Sequence, residues 1–222
     1  EWRAEALMGT ARAGLAAAAA GGRLYAFGGR NSRSSDLSSA ECLEPNAAAS
    51  WELVPGGDLP TPRYGCAAVV LAGRVYVVGG MSAWEVCGAV ERFDARIGTW
   101  EKLAPLPTPR YGCGVGAACG RIYAVGGHDG AEAVATVEWF DPALGQWQTA
   151  AELPTPRYGC ACASVAGRIY VLGGHSGVAP STAAERLEPA ADNGSSDAWE
   201  EVCSLPTAIY LCTAVAARPA LR

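Results

Sequence analysis

Histidine, methionine and lysine are scarce in this 222-residue chain, which has two histidines, two methionines and a single lysine. No run of 18 apolar residues occurs, so the sequence offers no candidate for a membrane-spanning helix. Acidic residues outnumber basic ones, and the formal net charge of −5 argues against general affinity for nucleic acid or an anionic membrane. No secretory signal pattern opens the chain at Glu1.

The nine cysteines do not form the pattern of a disulfide framework. Cys66, Cys113 and Cys160 stand at one repeated position inside apolar runs, which predicts small buried thiols in a reducing compartment, and hence a cytoplasmic protein. Cys160 and Cys162 are separated by a single residue and lack a second ligand pair, so we expect no metal site and no cofactor there.

A repeat is the strongest feature of the sequence. The hexapeptide TPRYGC occurs at residues 61–66, 108–113 and 155–160, 47 residues apart. Other features recur around it in a fixed order: a Gly-Gly pair at 28–29, 79–80, 126–127 and 173–174, a tyrosine three residues before each pair, a glutamate at 41, 91, 138 and 185, and a tryptophan at 51, 100, 147 and 199. A fixed period of about 50 residues predicts a repeat architecture rather than one catalytic motif.

Each repeat has the pattern of four short strands. In the second repeat we expect strands over residues 66–71, 75–78, 89–93 and 100–103, with a glycine turn at 72–74. The first two runs are continuously apolar and should be buried, whereas the third alternates and should be half exposed. The repeated tyrosines and tryptophans suit packing between units, and the repeated glutamates suit hydrogen bonding within or between them.

The stretch GRIYAVGGHDGAEAVATVEWFDPALGQWQTAAELPTPRYGC resembles a kelch repeat. This resemblance covers nearly the whole chain and implies an all-β fold, a kelch β-propeller with four complete four-stranded blades plus partial terminal blade strands. The single predicted domain, 1–222, then divides into units at about 1–9 (partial), 10–59, 60–106, 107–153, 154–205 and 206–222 (partial).

The two ends of the chain have the pattern of incomplete blades. Residues 2–8 are similar to the last strand of a preceding blade, and residues 207–217 to the first strand of a following one. We expect a fragment of a six-bladed ring, the usual kelch number. The alternative is that the two end fragments pair and close a smaller ring.

Up-and-down connectivity predicts which loops share a rim. The chain enters each blade through the Arg-Tyr-Gly step on the side where the second strand ends at Gly-Gly, so both should lie at the propeller mouth, where loops on a rigid scaffold commonly bind ligands. The arginines expected there are Arg12, Arg63, Arg110 and Arg157. They are equally compatible with holding a partner's carboxylates and with pairing inside the scaffold.

The residues after each Gly-Gly pair differ between repeats, as specificity loops should. Besides Met81 and Ser82, the candidate partner-binding residues are Arg30, Asn31, Ser32, His128, Asp129, His175 and Ser176. Longer polar insertions at 31–39 and 190–197 should alter the surface in the first and fourth units.

The sequence is most similar to the kelch domains of BTB–kelch proteins, substrate adaptors of cullin-type ubiquitin ligases. That resemblance implies a non-enzymatic module that binds a protein or an acidic peptide segment through the arginines and loops just named. Recruitment of a cullin would need a flanking domain that this sequence does not contain. The competing functions are a kelch-type enzyme (a sugar oxidase or mutarotase-like protein) and an actin-associated scaffold.

Overall fold

The computed structural model describes residues 6–33, 35–45, 50–189 and 198–214. The chain forms two compact units, the first ending at Tyr111 and the second beginning at Gly112. Within the described ranges the secondary structure is all β, and no helix is long and apolar enough to cross a membrane.

The first unit contains two four-stranded antiparallel sheets and one short hairpin. Sheet 1 follows the order β1-β2-β3-β4 and sheet 2 the order β5-β6-β9-β10, while β7 pairs only with β8. The strands are β1 (Ala16–Ala20), β2 (Arg23–Phe27), β3 (Ala40–Leu43), β4 (Glu52–Leu53), β5 (Ala67–Leu71), β6 (Arg74–Val78), β7 (Met81–Ser82), β8 (Glu85–Val86), β9 (Val90–Asp94) and β10 (Thr99–Lys102).

The second unit contains two further sheets of the same kind. Sheet 3 follows the order β11-β12-β13-β14 and sheet 4 the order β15-β16-β17-β18. The strands are β11 (Gly114–Ala118), β12 (Arg121–Val125), β13 (Val137–Asp141), β14 (Gln146–Thr149), β15 (Ala161–Val165), β16 (Arg168–Leu172), β17 (Ala184–Glu188) and β18 (Ala198–Glu201). The prediction of an all-β fold with four complete four-stranded blades is confirmed.

The second and third strands hold most of the buried residues of each blade. In β6 and β12 every residue after the initial arginine is buried, because these strands have a partner on each side and neighbouring structure on their faces. The third strands are more buried than their alternating pattern predicts. The fourth strands β10 and β14 are mostly exposed.

Aromatic rings join the two sheets of the first unit. The ring of Phe27 in β2 lies 5.6 Å from that of Phe93 in β9 and 5.2 Å from that of Trp100 in β10. The indole N–H of Trp100 donates to the carbonyl of Gly57 at 2.8 Å, so the polar tip of a half-buried ring is satisfied. The interpretation of the repeated tryptophan as a packing residue is supported by these contacts.

A glycine-rich strand brings the sheets of the second unit close together. A Cβ at Gly114 would lie 2.8 Å from the Cβ of Cys162, and one at Gly116 would lie 2.8 Å from Cδ1 of Ile169. Without those side chains, the N–H of Ala117 in β11 donates to Oγ of Ser164 in β15 at 2.8 Å. Cys160 lies in the same region and is buried, as Cys66 and Cys113 are.

Several expectations about the ends and insertions fall on residues that are not described. Residues 2–5 of the expected leading strand, the insertion at 190–197, and residues 215–217 of the expected trailing strand lie outside the described ranges, as does Ser34 of the first insertion. In the trailing segment, Ile209 forms an isolated bridge with Ser181.

Candidate functional site

The Arg-Tyr-Gly step of each repeat packs its backbone against the Gly-Gly pair of the repeat before it. The N–H of Gly29 donates to the carbonyl of Arg63 at 2.8 Å, and Gly127 does the same with Arg157. A Cβ at Gly28 would lie 2.6 Å from that Arg63 oxygen. Glycine is required because the close approach of the carbonyl and the positive φ of 61° both exclude a side chain.

The repeated arginine turns inward and meets the repeated glutamate of its own sheet. Nη2 of Arg12 lies 2.7 Å from Oε1 of Glu41, and Nη1 of Arg63 lies 2.5 Å from Oε2 of Glu91. Arg157 contacts Glu185 in the same way at 2.9 Å. The two members of a pair are 28 or 29 residues apart in sequence. Each pair therefore joins the segment before the first strand of a blade to the third strand of that blade.

The same guanidinium groups also satisfy backbone carbonyls where the second strand ends. Arg12 donates to the carbonyls of Gly28 and Ser39 at 2.8 and 2.7 Å, and Arg63 donates to the carbonyl of Val77 at 3.1 Å. Buried backbone carbonyls are costly to leave unpaired, and these guanidinium donors help to satisfy them.

Burial decides between the two roles that the sequence left open for the arginines. Arg63 and Arg110 are 0% exposed and Arg157 is 1% exposed, while the side chain of Arg12 is 0% exposed. The expectation that these side chains project into an open mouth does not agree with their positions. Their contacts support the structural alternative, in which each arginine stabilises a blade, because a side chain withdrawn from water offers a partner no surface.

Two of these carboxylates, those of Glu41 and Glu185, differ in how many hydrogen bonds they accept, and their pKa values shift in opposite directions. Burial raises the pKa of Glu41, but hydrogen bonds from Arg12 and the backbone N–H groups of Gly9 and Thr10 outweigh it, and the pKa lies below its ordinary value. At Glu185 burial prevails over Arg157 and the pKa is raised. Oε2 of Glu185 has no hydrogen-bond partner among the described residues.

Each unit has candidate binding residues on the loops that follow its Gly-Gly pairs, here called the Gly-Gly loops: residues 30–33, 35–36 and 81–86 in the first unit, and 128–133 and 175–181 in the second. In the first unit, Arg30 is held by Asp36, whose Oδ1 accepts from Nε at 2.9 Å and from Nη2 at 2.7 Å. The guanidinium carbon of Arg30 lies 3.9 Å from the ring centroid of Tyr64 and 3.8 Å from that of Trp84.

Asn31 and Ser32 shape the same loop. Oδ1 of Asn31 accepts hydrogen bonds from the backbone N–H groups of Arg33 and Ser35 at 2.9 and 3.1 Å, which form an Asx-type turn. Ser32 and Arg33 are exposed. The structure therefore brings Arg30, Asn31 and Ser32 together on one loop beside the β7–β8 hairpin, where a partner could reach them.

In the second unit the two histidines of the Gly-Gly loops alternate with two tyrosines in a row of four rings. The His128 and Tyr158 centroids are 5.3 Å apart, those of Tyr158 and His175 are 5.5 Å apart, and those of His175 and Tyr210 are 5.3 Å apart. Nδ1 of His128 and of His175 accepts the backbone N–H of Gly130 and Gly177, each at 3.0 Å. Each neutral imidazole therefore carries its proton on Nε2.

Asp129 and Ser176 hold the turns next to these histidines. Oδ1 of Asp129 accepts from the N–H groups of Ala131 and Glu132 at 2.8 Å each, and these hydrogen bonds lower the pKa of the Asp129 carboxyl. Oγ of Ser176 accepts from Val178 and Ala179 at 3.3 Å. Both side chains contribute to loop shape, and Asp129 is also exposed to solvent.

Sequence reasoning placed the Arg-Tyr-Gly steps, and with them Tyr64 and Tyr158, at this rim, but it missed Asp36, Trp84 and Tyr210. A signal for Trp84 was present, because it stands outside the repeated tryptophan position and inside a loop that varies between repeats. Asp36 had no comparable signal, since its importance depends on contacts with Arg30 and with the hairpin. Among the described residues, no group of three or more His, Cys, Asp or Glu side chains is placed to hold a metal ion.

Comparison with known proteins places the repeats in a family. The family model described as the KLHDC2/KLHL20/DRC7 Kelch-repeats domain matches residues 2–184. The F-box/kelch-repeat protein At1g67480 of Arabidopsis thaliana is 34% identical over 101 residues, which are 45% of this chain and 26% of the relative. The F-box/kelch-repeat protein At1g16250 of the same plant is 31% identical over the same shares.

The solved structure titled "Structure of YjhT" has the same fold, with a TM-score of 0.75 and 17% identity over 91% of this chain and 68% of that chain. The match to each plant relative spans about a quarter of that relative's length.

Proposed function

Because this chain belongs to the kelch-repeat domain family, whose members are in general protein-interaction modules, we propose that it is a non-enzymatic module that binds a partner protein or peptide through its Gly-Gly loops. The observation that carries the proposal is the separation of two residue sets. The repeated arginine–glutamate pairs are buried in the scaffold, whereas the residues that differ between repeats stand on exposed loops.

Each unit presents its own set of candidate binding residues. The first unit offers Arg30, Asn31 and Ser32 beside Trp84, and the second offers His128, Asp129, His175 and Ser176. These side chains combine aromatic rings with hydrogen-bonding groups, the composition that binding surfaces favour. No observation among the described residues favours the sugar-oxidase, mutarotase-like or actin-associated alternatives over partner binding.

A role as substrate receptor of a ubiquitin ligase is the finer proposal. It is supported by the likeness to BTB–kelch adaptors and by relatives whose names join kelch repeats to an F-box. Co-immunoprecipitation of the protein at its natural length should recover a cullin. Absence of a cullin would remove the ligase role and leave partner binding intact.

Partner binding is tested by selecting ligands from a phage-displayed random peptide library and measuring their affinity for loop variants. Ser32→Arg and Ser176→Arg place bulk and charge on the two units' loops, and Leu144→Arg places the same side chain in the exposed turn between β13 and β14. At least one loop variant should bind about tenfold more weakly or worse, with an unchanged melting temperature. Failure to select any ligand, or equal affinities for all three variants, would contradict the proposal.

A further inference from the structure

One hairpin of the first unit carries an exposed tryptophan in a backbone conformation that tryptophan disfavours. The turn between β7 and β8 consists of Ala83 and Trp84, with φ of 51° and 70°. Two central residues at positive φ define the type I′ turn, which strongly prefers glycine or asparagine. In the turns between the first two strands of the four sheets, the second central residue is Gly22, Gly73, Gly120 or Gly167.

The side chain of Trp84 remains mostly exposed to solvent in this conformation. Trp84 is 67% exposed. Residues held in strained backbone conformations persist where the surroundings over-determine them, and they cluster at functional sites. A glycine would suit the turn better, so the backbone conformation of the turn does not account for tryptophan at this position.

Asp36 holds the hairpin in place from the neighbouring Gly-Gly loop. Its Oδ2 accepts the backbone N–H of Ala83 at 2.7 Å, while its Oδ1 accepts from the Arg30 guanidinium. Arg30 in turn lies between the rings of Tyr64 and Trp84. One carboxylate thus positions both the turn and the cation that covers the inner face of the indole, leaving the outer face preorganised for contact.

Two arginines of the neighbouring Gly-Gly loop indicate which kind of chemical group would bind to the outer face of the Trp84 indole. The guanidinium of Arg30 already occupies one face of the indole, which disfavours a second cation on the other face. Arg33 is exposed three residues before Asp36, and no carboxylate lies within ion-pair distance of it in the described part of the chain. A ring stacked on the indole together with a carboxylate near Arg33 satisfies both features.

We propose that Trp84 is the anchor of the partner-binding surface, preorganised by Asp36 and Arg30, and that its occupant is an acidic segment of a partner protein that stacks a proline or aromatic ring on the outer face of the indole and directs a carboxylate to Arg33. This inference rests on the proposed function. It replaces the buried arginines with an exposed tryptophan hairpin as the main specificity element.

The test uses the full chain and peptides selected from the phage-displayed random library. Trp84→Gly should bind these peptides at least about 30-fold more weakly, as loss of an interface anchor does. Because glycine suits the turn, its melting temperature should equal or exceed that of the native chain. Ile97→Ala removes a similarly exposed apolar side chain (70% exposed) from the turn between β9 and β10 and should leave affinity unchanged.

Charge and positioning are tested by two further variants. Arg33→Glu should abolish selection for acidic peptides, whereas Arg96→Glu, at an exposed arginine elsewhere in the unit, should not. Asp36→Ala should weaken binding about tenfold through loss of preorganisation. That loss should vanish in the Trp84→Gly background, since a positioning residue acts through the group it positions.

The outcomes separate this inference from the proposed function. If the library yields no ligand, partner binding itself is contradicted. If ligands are selected but Trp84→Gly binds them as the native chain does, the anchor is overturned while partner binding stands. If the selected sequences are basic, or lack a ring residue, the assigned chemistry of the occupant is wrong.

Discussion

Nη2 of Arg157 lies 2.9 Å from Oε1 of Glu185, and the two side chains are 1% and 6% exposed. Arg157 stands just before β15 and Glu185 lies in β17, so the pair joins segments that are 28 residues apart in sequence. Removing one partner of a buried ion pair leaves an uncompensated charge inside the fold.

Arg157→Met should therefore lower the free energy of unfolding by about 3–5 kcal/mol. The matched control is Arg168→Met, which removes the partly exposed pair with Glu188 and should cost about 0–1 kcal/mol. Urea denaturation followed by tryptophan fluorescence measures both. Equal costs for the two variants would show that the buried pair does not hold the blade together.

Glu41 should make stability sensitive to acid. Its pKa in the folded chain lies below the ordinary value of 4.5, so the native state binds fewer protons than the unfolded state in this range. The stabilisation is present above pH 4.5 and is lost as the pH falls through the lowered pKa. Compared with the native chain, Glu41→Gln should show a flatter dependence of unfolding free energy on pH below 4.5. Parallel curves would contradict this prediction.

Glu185 should have the opposite effect on the pH dependence of stability. Burial raises its pKa above 4.5, so the folded chain holds this proton more tightly than the unfolded chain does. The resulting stabilisation is present below pH 4.5 and is lost as the pH rises through the raised pKa. Glu185→Gln should remove that decline, and chemical denaturation at successive pH values above 4.5 would reveal it. A native chain that gains stability relative to this variant over the same range would refute it.

Gly126 should tolerate alanine far less well than Gly120 does. Both have positive φ, 60° and 74°, so alanine costs each about 1–2 kcal/mol in backbone strain. At Gly126 a Cβ would also lie 2.5 Å from the carbonyl oxygen of Arg157, whereas at Gly120 nothing lies within 4 Å. Overpacking should add about 1–3 kcal/mol to the Gly126→Ala variant alone. Thermal unfolding compares the two, and equal melting temperatures would contradict the proposed close approach.

Thiol reactivity should follow burial rather than the repeat. Burial raises the pKa of Cys160 to about 11, while Cys119 is exposed at the turn between β11 and β12. The thiolate is the reactive form, so iodoacetamide at neutral pH should label Cys119 and spare Cys160. Peptide mass spectrometry reads the sites, and labelling in urea is the control in which both react. Rapid native labelling of Cys160 would show that its site opens readily.

The strands were predictable because their signals are local. Expected strands over 75–78 and 89–93 agree with β6 and β9 to within about one residue, since apolar runs bounded by glycine turns specify strand and turn together. The β7–β8 hairpin was missed because its turn, Ala83-Trp84, carries neither glycine nor asparagine. The turn is held instead by Asp36, a residue of another loop whose Oδ2 accepts the backbone N–H of Ala83.

The sequence by itself determined the repeat, the four-stranded units and the glycines between them, because these depend on spacing and on backbone freedom within a few residues. The tertiary structure alone decided what the repeated arginine does. Arg63 is a buried structural group because Glu91 and the carbonyl of Val77 come to meet it, and Trp84 is a surface anchor because Arg30 and Asp36 hold it from another loop. These roles depend on which side chains are removed from water and on contacts between segments that are distant in sequence. Local sequence patterns predict neither of these.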